Sequence, residues 1–245
     1  MPRTQPQRTA WGTFPDVIIH APETVVKKHR CYRAAKSGDA DAAFALVQDT
    51  ISDSTIEALR KLIGDRDSIL VSAHALESDG VNAIPEALAD ELGKRLGLEV
   101  DGTVVQTNLV GHTGANGYAR LARQATFDGD VISGADYLLV DDFVGQGGTL
   151  ANLKGFIETN GGRVIGATVL TGKSYSAILN PSNDQLISLR AKHGKDLEQW
   201  WTEWFGHGFD RLTQSEARYL ERSPGIDTIR SRIAEEEQAG NCGPL

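Results

Sequence analysis

The sequence predicts an α/β fold in which helices flank a central parallel sheet and helical N- and C-terminal extensions form a cap. Short apolar runs that begin at Ser68 and Tyr137 each lead into a glycine-containing loop and then into a segment of helical periodicity. Strands that alternate with helices in this way form parallel sheets. The chain ends instead carry helical periods without a clear strand pattern.

Residues 1–66 are predicted to form the N-terminal helical extension. Asp39 and Ser52 each precede apolar residues at helical spacing, as N-cap residues do, and Gly38 and Gly64 interrupt the pattern between helices. We therefore expect mainly helices over residues 23–64.

Residues 67–172 are predicted to form the core domain. A strand from Ser68, a glycine loop and the helix "IPEALADELGKRLG" make one unit. A strand from Thr103, "TVVQTNLV", precedes a long mobile loop from Gly111 to Asp130. The second unit consists of a strand at residues 137–140, a glycine loop, a helix at about residues 149–159 and the strand "RVIGATVL".

Residues 173–245 are predicted to form a C-terminal helical cap. Their most aromatic stretch is "EQWWTEWFGHGFD", in which Trp200 and Trp204, like Trp201 and Phe205, are one helical turn apart. This spacing fits packing of a helix onto the core, and stacking on a planar ligand is the alternative.

Composition bounds the function. The 245 residues are 40% hydrophobic and carry a formal net charge of −8, which disfavours a nucleic-acid-binding surface. No stretch has the roughly 20 apolar residues of a membrane span, so we expect a soluble, cytoplasmic protein without a membrane partner. Cys31 and Cys242 lack metal-ligand spacing. The basic stretch from Val25 to Arg33 is either a solvated helix face or a local pocket for an anion.

The stretch "LLVDDFVGQGGTL" joins two carboxylates to a glycine loop after an apolar strand. At the carboxyl end of a parallel strand, a glycine loop and the following helix offer amides to a phosphate, while Asp141 and Asp142 can accept hydrogen bonds from a sugar diol. A ribose 5-phosphate satisfies both halves. The predicted phosphate loop comprises Gly145, Gln146, Gly147, Gly148 and Thr149.

This stretch resembles the signature of type I phosphoribosyltransferases. The resemblance implies that Asp141 and Asp142 contact the ribose hydroxyls of phosphoribosyl pyrophosphate (PRPP) and meet Mg²⁺ through that substrate. It also implies transfer of ribose 5-phosphate to a base-like nitrogenous acceptor with release of pyrophosphate. Related enzymes are often dimers, so a homodimer is expected. Gln146 stands where the family commonly has threonine.

A second resemblance concerns "ALESDG", which is similar to the pyrophosphate loop of adenine-type members of the family. It assigns His74, Ala75, Leu76, Glu77 and Gly80 to that loop. Asp79 occupies the place of an arginine, and a carboxylate cannot neutralise pyrophosphate. Glu77 is a catalytic candidate if it orients this loop. The alternative is a surface residue or a helix-capping residue.

The loop from Gly111 to Asp130 lies where these enzymes carry a flexible lid. Arg120 and Arg123 are therefore the candidate catalytic cations, with surface arginines on a solvated turn as the alternative. His112 is either a further candidate or an ordinary loop histidine. Two other functions stay open. One is a non-catalytic regulatory protein that binds PRPP or a nucleotide, which Asp79 and Gln146 favour. The other is a nucleoside-phosphate hydrolase on the same scaffold.

Overall fold

The computed structural model describes residues 5–73, 76–77, 80–108 and 116–241. The strands are β1 (Ile18–Pro22), β2 (Ser68–Ser72), β3 (Leu76–Glu77), β4 (Gly80–Val81), β5 (Glu99–Asp101), β6 (Val105–Gln106), β7 (Phe127–Asp128), β8 (Asp136–Val144) and β9 (Arg163–Gly172). The helices are α1 (Glu23–Lys28), α2 (Tyr32–Lys36), α3 (Ala40–Thr50), α4 (Asp53–Ile63), α5 (Ile84–Leu96), α6 (Gly117–Ala122), α7 (Gly148–Thr159), α8 (Asn183–Phe205), α9 (Gln214–Arg222) and α10 (Ile226–Asn241).

The centre of the molecule is a five-stranded sheet with strand order β1-β9-β8-β2-β5. Every neighbouring pair in this sheet is parallel, which confirms the predicted fold class. β8 is the central strand and is apolar on both faces: Leu138 and Val140 pack into one hydrophobic cluster, Tyr137 and Leu139 into another. This two-residue alternation between two dry faces explains the continuous apolar run that the sequence showed.

Helices α3, α4 and α5 pack on the first of these faces. Asp39 accepts a hydrogen bond from the amide of Ala42 at the start of α3, and Ser52 accepts one from Thr55 at the start of α4, so both predicted N-caps are confirmed. The sequence did not predict β1, which pairs with β9. This strand ties the predicted N-terminal extension to the core sheet.

The region between β5 and β8 differs from its prediction. Among the described residues of the strand expected from Thr103, Val105 and Gln106 form β6, which pairs antiparallel with β7 and lies outside the central sheet. The edge strand of that sheet is β5. Within the segment expected to be a long mobile loop, the described residues form α6 and β7. A two-residue strand has too few apolar positions to be located from its sequence pattern.

The C-terminal region is helical, as predicted. α8 is broken at Gly194, whose φ of 70° is left-handed, and α8, α9 and α10 enclose a third hydrophobic cluster. Trp201 and Phe205 are buried in it, while Trp200 and Trp204 stack at its edge with ring centroids 5.3 Å apart. The aromatic stretch therefore packs the helices together. None of the helices in the described ranges has the length and apolarity to cross a membrane.

Candidate functional site

The two aspartates lie inside β8, close to its carboxyl end, because the strand extends four residues beyond the predicted segment. The amide of Asp142 donates a 2.7 Å hydrogen bond to Oδ1 of Asp141. Asp141 is buried, and this burial together with the charge of Asp142 raises the pKa of Asp141 well above its ordinary range. The adjacent amide and the charge of Lys36 oppose the shift in part. The acid pair therefore consists of a desolvated carboxyl group, that of Asp141, beside the carboxylate of Asp142.

Lys36, at the end of α2, contacts this acid pair. Its Nζ lies 2.9 Å from Oδ2 of Asp142, and the two side chains are only 20% and 12% exposed. The sequence prediction missed Lys36, which stands three residues beyond the basic stretch that ends at Arg33. Its position in the motif-poor segment "RAAKSGD" gave no signal, since only the tertiary packing of α2 brings it to β8.

The glycine loop follows β8 and opens α7, as predicted. Gly147 is the N-cap residue with a left-handed φ of 81°, a conformation that glycine adopts without the steric cost of a Cβ. The N-cap Gly147 has no side chain to accept a hydrogen bond from the first amides of α7, as a Ser, Thr, Asp or Asn N-cap would. The buried Oε1 of Gln146 also has no hydrogen-bond partner among the described residues. Amides at the start of a helix can donate hydrogen bonds to an anion, whereas the Oε1 of Gln146 is an acceptor and cannot.

The C-terminal region packs directly against the glycine loop. A Cβ on Gly147 would lie 2.5 Å from Cδ2 of Leu179, and a Cβ on Gly148 would lie 2.8 Å from Oε1 of Glu216. The hydroxyl of Thr213 donates a hydrogen bond to the carbonyl oxygen of Gln146. The two glycines therefore allow the C-terminal region to pack closely against the loop.

A buried ionic network lies behind the loop. Arg8 donates two hydrogen bonds to the carboxylate of Glu216, at 2.6 and 2.9 Å, and its Nε donates to Oδ1 of Asn152 in α7. Glu216 also accepts from the amide of Thr213, and the two residues form a capping box at the start of α9. This network joins the N-terminal segment, α7 and α9. Sequence reasoning missed it because its members are far apart in the chain.

The structure separates the two predicted arginines. Arg120, in α6, lies beside the glycine loop: a Cβ on Gly145 would be 2.5 Å from its Nη1. Burial lowers the pKa of Arg120, as expected for a partly desolvated guanidinium. Arg123 instead pairs with Glu236 of α10, with Nη2 and Oε2 2.9 Å apart. Only Arg120 of this pair is brought to the candidate site.

The predicted pyrophosphate loop begins where β2 ends, next to β8. The amide of Ala73 donates to the carbonyl oxygen of Val140 at 2.8 Å. The backbone of β3, which contains Leu76 and Glu77, pairs antiparallel with that of β4, which begins at Gly80. His74, Ala75, Asp79 and His112 lie outside the described residues, and so do the side chains of Leu76 and Glu77.

The basic stretch from Val25 to Arg33 reaches the rim of this region. Lys27 forms an ion pair with Glu23 and lies 4.9 Å from the ring centroid of Phe143 in β8. Lys173, which follows β9, pairs with the same Glu23. His29 instead contacts Asp49 on α3. The stretch thus serves partly as a solvated face and partly as a charged rim next to the acid pair.

Two curated proteins are similar to this chain in sequence. Protein TraN of Escherichia coli is 44% identical over 228 residues, which are 93% of this chain and 51% of TraN. An uncharacterized protein of Haemophilus influenzae is 39% identical over 154 residues, 62% of this chain and 34% of that protein. The chain thus spans about half the length of the first relative and about a third of the second. No family model matches the chain.

Two of the similar solved structures are adenine phosphoribosyltransferases. The enzyme from Thermoanaerobacter pseudethanolicus aligns with a TM-score of 0.31 and 17% identity, covering 56% of this chain and 84% of the enzyme. The enzyme from Leishmania donovani aligns with a TM-score of 0.32 and 13% identity, covering 54% of this chain and 57% of the enzyme. TM-scores this low do not establish a common function. The chain has an α/β fold with a central parallel sheet.

Proposed function

We propose that this protein is a phosphoribosyltransferase that transfers the ribose 5-phosphate of PRPP to a base-like nitrogenous acceptor and releases pyrophosphate. One observation supports this most strongly. The end of the central strand carries two adjacent carboxylates, and the helix that follows begins with an uncapped glycine turn beside the guanidinium of Arg120. A ribose 5-phosphate has a diol for the carboxylates and a dianion for the turn.

The proposed roles follow from charge and hydrogen-bonding capacity. Asp141 and Asp142 accept hydrogen bonds from the ribose hydroxyls, and a carboxylate has enough lone pairs to do so while it is engaged elsewhere. The amides of residues 145–149 and the hydroxyl of Thr149 hold the 5′-phosphate, with Arg120 adding a positive charge. Glu77 and the other residues of the loop 74–80 are proposed to face the pyrophosphate.

Mg²⁺ is proposed to bind together with PRPP. Mg²⁺ prefers oxygen ligands and binds phosphates readily, so a carboxylate pair next to a pyrophosphate suits it. Here Lys36 already neutralises Asp142, and burial favours the neutral form of Asp141. The substrate's own oxygens must therefore supply much of the coordination. When bound, Mg²⁺ would stabilise the negative charge that develops on the leaving pyrophosphate.

The acceptor is proposed to attack the anomeric carbon while the bond to pyrophosphate breaks. Positive charge then develops on the ribose ring, next to Asp141 and Asp142, and negative charge on the leaving group. An N–H nitrogen of a purine or pyrimidine loses its proton in the reaction, which calls for a base or for water, whereas a pyridine nitrogen has no proton to lose.

Two measurements on the whole chain test this function. Thermal unfolding with PRPP, ribose 5-phosphate or ribose, each with and without Mg²⁺, should show a rise in Tm for the two phosphorylated ligands only. Pyrophosphate release should then follow when PRPP is combined with the correct member of a panel of purine, pyrimidine and pyridine bases. Absence of any shift at millimolar PRPP would refute the proposal. A shift without turnover for any base would support a regulatory PRPP-binding protein instead.

A further inference from the structure

Two basic side chains contact the proposed ribose-phosphate site at different residues. Lys36 contacts Asp142 at 2.9 Å, on the side where α2 meets β8. Arg120 lies against Gly145, the first residue of the glycine loop. The two contacted residues, Asp142 and Gly145, are separated in the chain by Phe143 and Val144 alone. The site therefore has one cation beside the diol-binding carboxylates and another beside the phosphate turn.

This arrangement of two cations matches the positions of the two anionic groups of PRPP. Its 5′-phosphate and its 1-pyrophosphate are attached at opposite ends of the ribose, and the diol lies on the edge nearer to the pyrophosphate-bearing carbon. A guanidinium at the glycine loop is thus at the 5′-phosphate and not at the pyrophosphate. With Asp142 on the hydroxyl adjacent to the anomeric carbon, a cation beside Asp142 is within reach of the first phosphoryl group of the pyrophosphate.

The chemistry of lysine permits this second contact. An ammonium group has three N–H donors, so it can hold the carboxylate of Asp142 and donate to a phosphate oxygen together. The pair is only slightly exposed, and in such an environment an ionic contact is screened less than at the surface. The long, flexible stem of lysine lets the group follow an incoming anion without moving α2.

We propose that Lys36 is a substrate-binding residue for the pyrophosphate group of PRPP and supplies positive charge that the loop containing Asp79 lacks. Arg120 in turn acts on the 5′-phosphate. This inference rests on the proposed function. It means that a residue of α2, a helix outside the sequence motifs, discriminates between PRPP and ribose 5-phosphate.

The test compares ligands that differ by the pyrophosphate alone. Calorimetric titration with PRPP and with ribose 5-phosphate, at one Mg²⁺ concentration, is carried out on the parent chain, Lys36→Gln, Lys36→Arg and Arg120→Gln. Lys94→Gln is the matched control, because this exposed lysine lies near the C-terminal end of α5, over the ring of Phe44. Inorganic pyrophosphate serves as a third probe.

Lys36→Gln is expected to weaken PRPP and pyrophosphate binding by roughly 10- to 100-fold and ribose 5-phosphate binding by less than about threefold, as for loss of a charge-assisted hydrogen bond. Lys36→Arg should retain most of the PRPP affinity. Arg120→Gln should weaken ribose 5-phosphate and PRPP by similar factors. Lys94→Gln should change neither.

Equal loss of both ligands in Lys36→Gln would overturn the inference, because it would mean that Lys36 only holds Asp142. If Lys36→Gln is unfolded, the double variant Lys36→Gln/Asp142→Asn removes both charges and is compared with Asp142→Asn alone. A double variant that binds PRPP as well as Asp142→Asn does would likewise overturn the inference. Failure of the parent chain to bind either phosphorylated ligand would refute the proposed function instead.

Discussion

Arg120 and Gly145 are in close approach: a Cβ added to Gly145 would lie 2.5 Å from Nη1 of Arg120 and 3.1 Å from a ring carbon of Phe143. A side chain at position 145 would therefore occupy the place of the guanidinium. Gly145 does not have a left-handed φ, so its backbone alone does not require glycine. The absence of a side chain there makes room for a cation at the mouth of the glycine loop.

Gly145→Ala is accordingly expected to reproduce the effect of Arg120→Gln. The methyl group displaces the flexible guanidinium without removing its charge from the chain, and the affinity for ribose 5-phosphate should fall by about tenfold. Calorimetry on both single variants and on the double variant measures the coupling. The double variant should be no weaker than Arg120→Gln alone. Additive losses would contradict a shared role for these two positions.

Asp141→Asn is expected to stabilise the ligand-free protein while it weakens ribose binding. Because burial and Asp142 raise the pKa of Asp141 above its unfolded value, Asp141 contributes stability that is complete below about pH 4 and is lost as the pH rises through the folded pKa. Asn at position 141 does not ionise, so the variant does not lose this stability as the pH rises. Its Tm should therefore exceed that of the parent near neutral pH and approach the parent's Tm in acid. A Tm difference that is independent of pH would contradict the raised pKa.

Glu216→Gln should be strongly destabilising, because it leaves the buried Arg8 without a counter-charge. Breaking such a pair costs about 3–5 kcal/mol, whereas the same change in the exposed pair of Glu57 and Arg60 should cost less than about 1 kcal/mol. Urea unfolding of Glu216→Gln and of the control Glu57→Gln gives both values.

The stabilisation by Glu216 should also depend on pH. Burial opposes its ionisation, but Arg8 and the amide of Thr213 outweigh burial and lower the pKa of Glu216. A lowered pKa gives stability that is present above the unfolded value and is lost as the pH falls through the folded one. The difference between parent and Glu216→Gln should therefore shrink in acid. A constant difference down to about pH 3 would contradict this.

Arg123→Met should affect stability more than ligand binding. Arg123 joins α6 to Glu236 in α10, and a partly buried pair of this kind contributes about 1 kcal/mol. Its effect on ribose 5-phosphate affinity should stay below that of Arg120→Gln, and Arg123→Glu/Glu236→Arg should recover part of the stability. Equal losses of affinity for Arg123→Met and Arg120→Gln would show that both arginines reach the ligand.

Much of the fold could be predicted because the local pattern and the tertiary structure agree. The apolar run of β8 alternates between two clusters, and the caps Asp39 and Ser52 use contacts within four residues. β1 could not be predicted in the same way. It is an edge strand of five residues whose pairing with β9 joins positions about 150 residues apart in the chain.

The candidate site was predicted in its contiguous part only. The acids and the glycine loop lie next to each other in sequence and therefore form a visible motif. Lys36, Thr213 and Arg8 come from distant segments, and only packing of α2 and of the C-terminal helices brings them to β8 and α7. Arg120 and Arg123 show why sequence spacing alone is insufficient. They are three residues apart, yet Arg120 lies at the glycine loop and Arg123 contacts Glu236 of α10.

The central claim is that the carboxyl end of β8 and the start of α7 bind PRPP. The most direct test is a calorimetric titration of PRPP with Mg²⁺ into three proteins: the parent chain, Asp142→Asn and Asp136→Asn. Asp136 is the matched control, since it lies at the amino end of the same strand and pairs with Arg163. We predict binding by the parent and by Asp136→Asn, and a loss of roughly 10- to 100-fold in Asp142→Asn. No binding by the folded parent, or equal binding by all three proteins, would contradict the claim.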